Sequence, residues 1–441
     1  MAAPPILTEL RLTSFKSFRD AKLEVPPLLL ITGRNSSGKS NVFDAVSVLA
    51  RISGGGPLAK VLDDSTSPDG AIRGGSRGCA PHGKESFSLG CNVSVGATVY
   101  SWDIEVEVGD RLAVLDETLE SRTSGKTKNL IGAPRALPDD DAPAIGRAVA
   151  NGKKGSNPIT SFWRDRAVLG QVESVPEADD DVRAGVAAIR SALGSMYQLD
   201  PIPTRMRAFV PRTDYKLRRH ADNFSATLRR LQDRQPEDFG RVQDLVKLIV
   251  DERVHGLAFS DTSLGDVMVG LREVLGPLSA GVEQFTPARE MSDGLLRVLG
   301  VALSLLADAE LLEAGVPGKP NSAVPAVFVE EIENGLHPSQ ASLLLSLLVD
   351  AVRTSSRQVV ATTHSPALLD AAEGVLNESI IVCYRDAQTG LSQLVPMVDL
   401  PQYPKDMARG SIGDNVTAGR LTGPARAVQD SHAFDDIFGI A

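Results

Sequence analysis

The sequence is short of several things, and each shortage closes off a class of protein. Only three cysteines are present, Cys79, Cys91 and Cys383, scattered without metal-ligand spacing. That excludes a disulfide framework and fits a reducing compartment. No apolar run approaches the ~20 residues needed to span a bilayer. The opening MAAPPILTEL has neither the basic region nor the apolar stretch of a secretory signal. The expectation is a cytoplasmic protein with no membrane contact. Basic charge is also scarce: 46 Lys and Arg against 56 Asp and Glu give a net charge of −10. Contact with nucleic acid would therefore need a local basic patch that outweighs the global sign. No apolar repeat of period seven is sustained, which excludes a long coiled coil. The hydrophobic share of 42% is that of an ordinary globular chain, and 441 residues allow more than one domain.

What is present is concentrated in residues 28–50, LLLITGRNSSGKSNVFDAVSVLA. Leu28–Thr32 is a short apolar run that reads as a buried strand. Gly33, Arg34, Asn35, Ser36, Ser37, Gly38, Lys39 and Ser40 then satisfy G-x-x-x-x-G-K-[ST] at every fixed position. Val42, Ala45, Val46 and Leu49 follow at helical spacing. Strand, glycine loop and helix is the context that phosphate binding requires. The glycines let successive N–H groups turn inward, and the helix adds the positive end of its dipole. Lys39 is placed to reach the β- and γ-phosphates of a nucleoside triphosphate, and Ser40 to ligate Mg²⁺.

Around this motif the chain changes character in blocks. Ile6–Leu12 and Lys22–Val25 read as strands, and Ser53–Gly90 as loop rich in Gly, Ser and Pro. Within that loop Gly74-Gly75-Ser76-Arg77-Gly78 matches the G-x-S-x-G nucleophile pattern, but no strand precedes it and no helix follows, so a hydrolase elbow is set aside. Phe87–Leu119 alternates with period two, the pattern of half-buried antiparallel strands. Ser121–Asp181 is polar and broken, with solvated acidic runs at Asp139–Asp141 and Asp179–Asp181. From Val182 the period becomes helical, and Phe239–Val250 and Leu264–Leu275 are read as helices too. Between them lies the densest basic segment, with Lys216, Arg218, Arg219, His220, Arg229, Arg230 and Arg234. It reads either as a phosphate-directed DNA contact or as a helix face paired with nearby acids.

Three features follow in the last third. Ser292 is placed to cap an apolar helix that begins Asp293-Gly294. Ala326–Val329 is a buried strand that closes on Glu330 and Glu331, one carboxylate suited to Mg²⁺ and the other to activating a water. Gln358–Thr363 is a second buried strand, and it ends at His364, where a γ-phosphate contact is expected.

In this order the segments resemble the ABC-class ATPase heads of the RecF, SMC and OLD type, a branch of AAA family ATPases, over nearly the whole chain. LTELRLTSFKSFRDAKLEV resembles the family's opening strands, and MSDGLLR its signature motif. VFVEEIENGLHP resembles its Walker B and D-loop region, VVATTHSP its histidine switch, and LDPIPTRMR with ADNFSATLRRL a recurrent stretch before the signature. The resemblance implies an α/β P-loop NTPase fold, an ABC-ATPase head with mixed β-sheet lobes. Its expected parts are an N-terminal lobe at 1–140, a mainly helical insertion at 141–285 and a C-terminal lobe at 286–441.

The same resemblance implies a homodimer that closes around ATP and Mg²⁺ and hydrolyses the nucleotide. ATP would lie between residues 33–40, with Asn41, of one subunit and Ser292, Asp293 and Gly294 of the other. Glu330 would serve Mg²⁺ with Ser40, Glu331 would polarise the water, and His364 would sense the γ-phosphate beside Lys39. Arg73 is the counterpart of a nucleotide-facing arginine. The sequence departs from the pattern at Glu330, where Asp is usual, at Ile332, where Pro often follows, and at Leu295, where the signature commonly has Gln or Glu. Gln171 and Gln198 are the candidates for a Q-loop glutamine. Coupling to double-stranded DNA in repair, through Lys216, Arg218, Arg219, Arg229 and Arg230, is the first functional expectation. Control of a separately encoded nuclease or toxin effector in anti-phage defence is the second, because the tail beyond His364 is too short for a Toprim nuclease domain. A transporter ATPase ranks last, since the signature differs from LSGGQ.

Overall fold

The computed structural model describes residues 3–65, 70–132, 143–153, 155–250, 253–275, 281–314, 326–355 and 357–421. The first half of the chain supplies β1 (Ile6–Phe15), β2 (Phe18–Glu24), β3 (Leu28–Thr32), β4 (Ser86–Val95), β5 (Thr98–Glu107), β6 (Ala113–Thr123), β7 (Lys126–Gly132), β8 (Ala144–Val149) and β9 (Ile159–Trp163). The second half supplies β10 (Met196–Leu199), β11 (Val210–Pro211), β12 (Val254–Asp261), β13 (Asp266–Leu275), β14 (Val282–Pro287), β15 (Ala326–Val329), β16 (Gln358–Thr363), β17 (Ile380–Arg385) and β18 (Ser392–Pro396).

Among the described residues one 14-stranded sheet runs β10-β15-β16-β3-β17-β18-β2-β1-β4-β5-β6-β7-β8-β9. Its β10-β15-β16-β3-β17 portion is parallel, whereas β1 and β4 to β9 form an antiparallel meander. The alternation read in Phe87–Leu119 becomes the facing rows of β4 and β5, with Leu89 opposite Ile104 and Cys91 opposite Trp102.

The parallel strands are apolar on both faces because both are covered. Leu29, Ile31, Phe328 and Val360 point into the core shared with the antiparallel lobe and the helix Lys39–Ser53. Leu28, Leu30, Val327, Val329, Val359 and Ala361 point into the core under the helix Asp293–Leu306. Phe43 and Phe328 meet edge to face, 5.4 Å between ring centroids, which ties the first helix to β15. Each fully buried aliphatic side chain here is worth about 1.5–3 kcal/mol. The polar residues at the carboxyl ends of β3, β15 and β16 therefore stand on a stiff platform. The register sets Val329 beside Ala361 and Thr363 beside Thr32, so Gly33, Glu330 and His364 leave the sheet at one edge.

Two expectations fail in the middle of the chain. Asp266–Leu275, read as part of a helix, is β13, paired with β12 on one side and with β11 and β14 on the other. Val267, Met268, Val269 and Leu271 are all buried. A strand covered on both faces gives a continuous apolar run that periodicity cannot separate from a helix, and the β-branched valines and Gly265 at the hairpin turn decide for the strand. The segment 141–285 is accordingly mixed rather than mainly helical. It carries the helices Asp180–Gly194, Phe224–Arg234 and Pro236–Ile249, yet it also carries β8 to β14. β8 and β9 extend the antiparallel meander, and β10 borders β15 in the parallel core. Of the acidic runs, Asp139–Asp141 lies outside the described residues, while Asp179 and Asp181 pair with Lys128 at 2.6 and 2.5 Å.

Candidate functional site

The phosphate-type loop is shaped by what surrounds it. A Cβ on Gly33 would lie 1.9 Å from the Cys383 carbonyl oxygen of β17, so only glycine fits there. The β17–β18 hairpin braces the loop from below. Ser392 Oγ donates to the Ser37 carbonyl at 2.6 Å, and Arg385 Nε donates to the Ser36 carbonyl at 3.0 Å. Asn41 Nδ2 donates to Ser17 Oγ at 2.9 Å, fixing the loop to the β1–β2 turn. Gly38 takes the left-handed position before the helix Lys39–Ser53, whose first turn has no side-chain cap. Its leading N–H groups are thus available to an anion. The Lys39 ammonium lies inside the loop, donating to the carbonyls of Gly33 at 2.8 Å and Arg34 at 3.0 Å, and burial lowers its pKa.

The acids of β15 face this loop. Glu330 hydrogen-bonds to Ser40; burial raises its pKa, and Arg73 and Arg219 pull it back. Arg219 Nη2 stands 3.5 Å from its Oε1. Arg73 donates to the Ser40 carbonyl at 2.8 Å and is held by Asp44 at 2.9 Å, which also binds Lys16 at 2.8 Å. Glu331 has a φ of 46°, a left-handed backbone unusual for glutamate and of the kind stored at functional sites. The Glu331 N–H donates to Thr362 Oγ1 at 2.8 Å, and the Glu331 carboxylate accepts from Asn334 Nδ2. Burial, then Lys39, lowers the His364 pKa, so the imidazole is neutral at neutral pH.

Arg34, Asn35, Glu331, Glu333, Asn334 and His364 line one open cleft of about 600 Å³. These residues fit a nucleoside triphosphate with Mg²⁺. The loop has no room for side chains at Gly33, its buried Ser37 hydroxyl lacks a hydrogen-bond partner among the described residues, and a hydroxyl and a carboxylate meet at Ser40 and Glu330. No cluster of three or more His, Cys, Asp or Glu able to hold a metal ion occurs among the described residues. A divalent ion would therefore share Ser40 and Glu330 with phosphate oxygens.

The signature residues stand elsewhere. The Ser292 hydroxyl accepts from the Leu295 N–H at 3.3 Å and caps the helix, and Asp293 pairs with Arg207 at 2.7 Å. Gly294 abuts the turn after β15, where an added Cβ would come within 1.9 Å of the Gly335 carbonyl oxygen. None of the three lines the cleft of its own chain.

Most of the basic segment is turned to its own chain. Arg218 pairs with Asp214 at 2.9 Å and Asp222 at 2.6 Å. Arg229 lies over the Phe259 ring and Arg230 over the Tyr215 ring, while Lys216 is exposed. The fully buried Asn223 holds the segment together through the carbonyls of Asp214 and Lys216. Gln198 joins Phe43 and Ser47 of the first helix, and Gln171 joins the Trp163 backbone of β9, so neither glutamine lines the cleft. Sequence reasoning missed Asp44, Asn334 and Glu333. The last two stood in plain view in EEIENG; Asn334 binds Glu331 three residues before it, whereas the partner of Glu333, His364, is distant in the chain.

Among the described residues no helix is long and apolar enough to cross a membrane. No curated protein matches the chain. Among solved structures it is similar to the SMC head domain from Thermotoga maritima, at 14% identity and a TM-score of 0.41, covering 89% of this chain and 98% of that one. It is also similar to the SmcHead bound to the C-winged helix domain of ScpA, at 14% identity and 0.46, covering 88% and 97%. A third is the Smc head domain with an extended coiled coil bound to the C-terminal domain of ScpA derived from Pyrococcus furiosus, at 13% and 0.39, covering 89% and 96%. The sequence itself matches the family described as "AAA domain, putative AbiEii toxin, Type IV TA system" over residues 28–160 and 173–370. With the loop after β3, the paired acids after β15 and the histidine after β16 gathered at one sheet edge, the chain belongs to this family of AAA domains.

Proposed function

We propose that the chain hydrolyses ATP, closes as a homodimer while ATP is bound, and passes that closure to a separately encoded toxin or nuclease effector. The observation that carries the reading is the convergence of Lys39, the Ser40–Glu330 contact, Glu331 and His364 on one edge of the sheet. The N–H groups of residues 33–40 and the Lys39 ammonium hold the phosphates. Ser40 and Glu330 would hold Mg²⁺, which would supply charge neutralisation at the phosphates. Glu331, restrained by Asn334, accepts the proton of the attacking water. His364, neutral and beside Lys39, offers a hydrogen bond to the γ-phosphate. Arg73, anchored by Asp44 at the Ser40 carbonyl, adds positive charge beside Glu330. Ser292, Asp293 and Gly294 lie away from their own cleft, which supports their serving the nucleotide of the second copy.

A DNA-coupled role is the second reading. Arg218 bound between two aspartates and Arg229 and Arg230 stacked on rings leave less free positive charge for phosphate contacts, and the family's description points toward toxin–antitoxin partners. Steady-state ATP hydrolysis with and without linear double-stranded DNA separates the two. Hydrolysis indifferent to DNA supports effector control, whereas stimulation that disappears at high salt moves the account to a DNA-coupled enzyme.

A further inference from the structure

Beyond Glu330 and Glu331, the turn after β15 carries a third carboxylate in the cleft lining. Glu333 follows the strained Glu331 by two residues, across the buried Ile332. The turn is tied to the carboxyl end of the neighbouring strand β16 by three hydrogen bonds. The Glu331 N–H donates to Thr362 Oγ1, the Ile332 N–H donates to the Thr362 carbonyl at 3.1 Å, and the His364 N–H donates to Glu333 Oε1. The first two fix Thr362. Only the third reaches the histidine, and His364 is the first residue beyond β16. Its N–H has left the sheet ladder and needs an acceptor.

The second oxygen, Oε2, is buried and has no hydrogen-bond partner among the described residues. A buried carboxyl oxygen without a hydrogen-bond partner is costly to keep. It lies in the lining of the cleft, with Lys39 and the His364 ring as charged or titratable neighbours. A group placed for fold stability alone would not leave half its hydrogen-bonding capacity unused at the reacting edge of the sheet.

We propose that Glu333 is a positioning residue for the hydrolytic reaction: its carboxylate clamps the His364 backbone to the turn that carries Glu331, and so fixes the spacing between the two. This rests on the proposed ATP hydrolysis. The clamp needs an acceptor oxygen at the full length of a glutamate side chain, not a negative charge.

The test is steady-state ATP hydrolysis by the full chain carrying Glu333→Ala, Glu333→Gln, Glu333→Asp, His364→Ala and the double variant Glu333→Ala/His364→Ala. Glu333→Ala lowers kcat about 10- to 100-fold, the scale of a small misplacement of reacting groups, with KM for ATP within about twofold. Glu333→Gln keeps the acceptor at the right reach and stays within about threefold of the parent rate, whereas the shorter Glu333→Asp falls with Glu333→Ala. Because Glu333 works through His364, the double variant is no slower than His364→Ala alone. Losses that multiply in the double variant, a Glu333→Ala protein at the parent rate, or a Glu333→Asp protein faster than Glu333→Gln would each overturn the proposal. The ordering of the Asp and Gln variants decides the matter if Glu333→Ala does not fold. A parent chain that fails to hydrolyse ATP removes the underlying function instead, and is distinguishable from all of these.

Discussion

Glu117 on β6 is a carboxyl sealed inside the antiparallel lobe, and its titration can be followed directly. It is 1% exposed, accepts from Trp102 Nε1 at 3.0 Å, and accepts the N–H groups of Val168 at 2.6 Å and Leu169 at 2.8 Å. Burial pushes its pKa from an ordinary 4.5 up to about 7, against the pull of those three donors and of Arg147. A carboxyl held that high prefers its proton by about 3 kcal/mol. The folded chain therefore keeps a proton that the unfolded chain has already lost between pH 4.5 and about 7. In that window this group's contribution to stability falls as pH rises, and above it the loss of about 3 kcal/mol is complete. The probe is built in, because the sequence has only two tryptophans. With ¹⁵N-labelled tryptophan, the Trp102 indole resonance should shift with a midpoint near 7, while the exposed Trp163 serves as reference. Glu117→Gln should abolish the Trp102 shift and cost about 1–3 kcal/mol, because the amide NH₂ then faces the Val168 N–H. A midpoint in the ordinary carboxylate range, or an unchanged shift in Glu117→Gln, refutes the reasoning.

Three other outcomes follow from the site. Gly294→Ala drives a Cβ to within 1.9 Å of the Gly335 carbonyl oxygen, where backbone meets backbone and neither side can rotate away. We expect a loss of about 1–3 kcal/mol and at least a tenfold fall in hydrolysis, roughly 1.4 kcal/mol of barrier, measured by thermal unfolding and steady-state turnover. Asp44→Asn unpairs Lys16 and half-exposed Arg73, so it should cost about 1–2 kcal/mol and lower kcat by releasing Arg73 from the Ser40 carbonyl. Lys39→Ala should abolish nucleotide binding by calorimetry while the fold, judged by circular dichroism, survives, since among the described residues the Lys39 ammonium bonds only to its own loop.

What could be read from the sequence was what local spacing encodes. The glycine loop, the strand closing on Glu330 and Glu331, and the strand closing on His364 are each contiguous, so type and order suffice to bring them to one edge. The helix Asp180–Gly194 and the β4–β5 rows carry clean periods and were legible for the same reason. β13 was not, because a strand buried on both faces has no period to read. The fate of the basic segment was also hidden. Arg229 meets Phe259 and Asp261 only after β12 folds back on the helix that carries it, a pairing no spacing announces. Asp44 and Glu333 were passed over for a related cause. Asp44 sits on a helix among apolar neighbours and Glu333 in a turn, and their partners lie 29 and 31 positions away.

The claim at the centre is that ATP closes two copies of this chain around residues contributed by both. The most direct measurement is sedimentation velocity of the Glu331→Gln protein with and without ATP and Mg²⁺, with bound nucleotide quantified in the same fractions. The account predicts a monomer that becomes a dimer holding two unhydrolysed ATP molecules, and a monomer again when Ser292→Arg is added. A Glu331→Gln chain that hydrolyses ATP at the parent rate, or that binds ATP and stays monomeric, would contradict it.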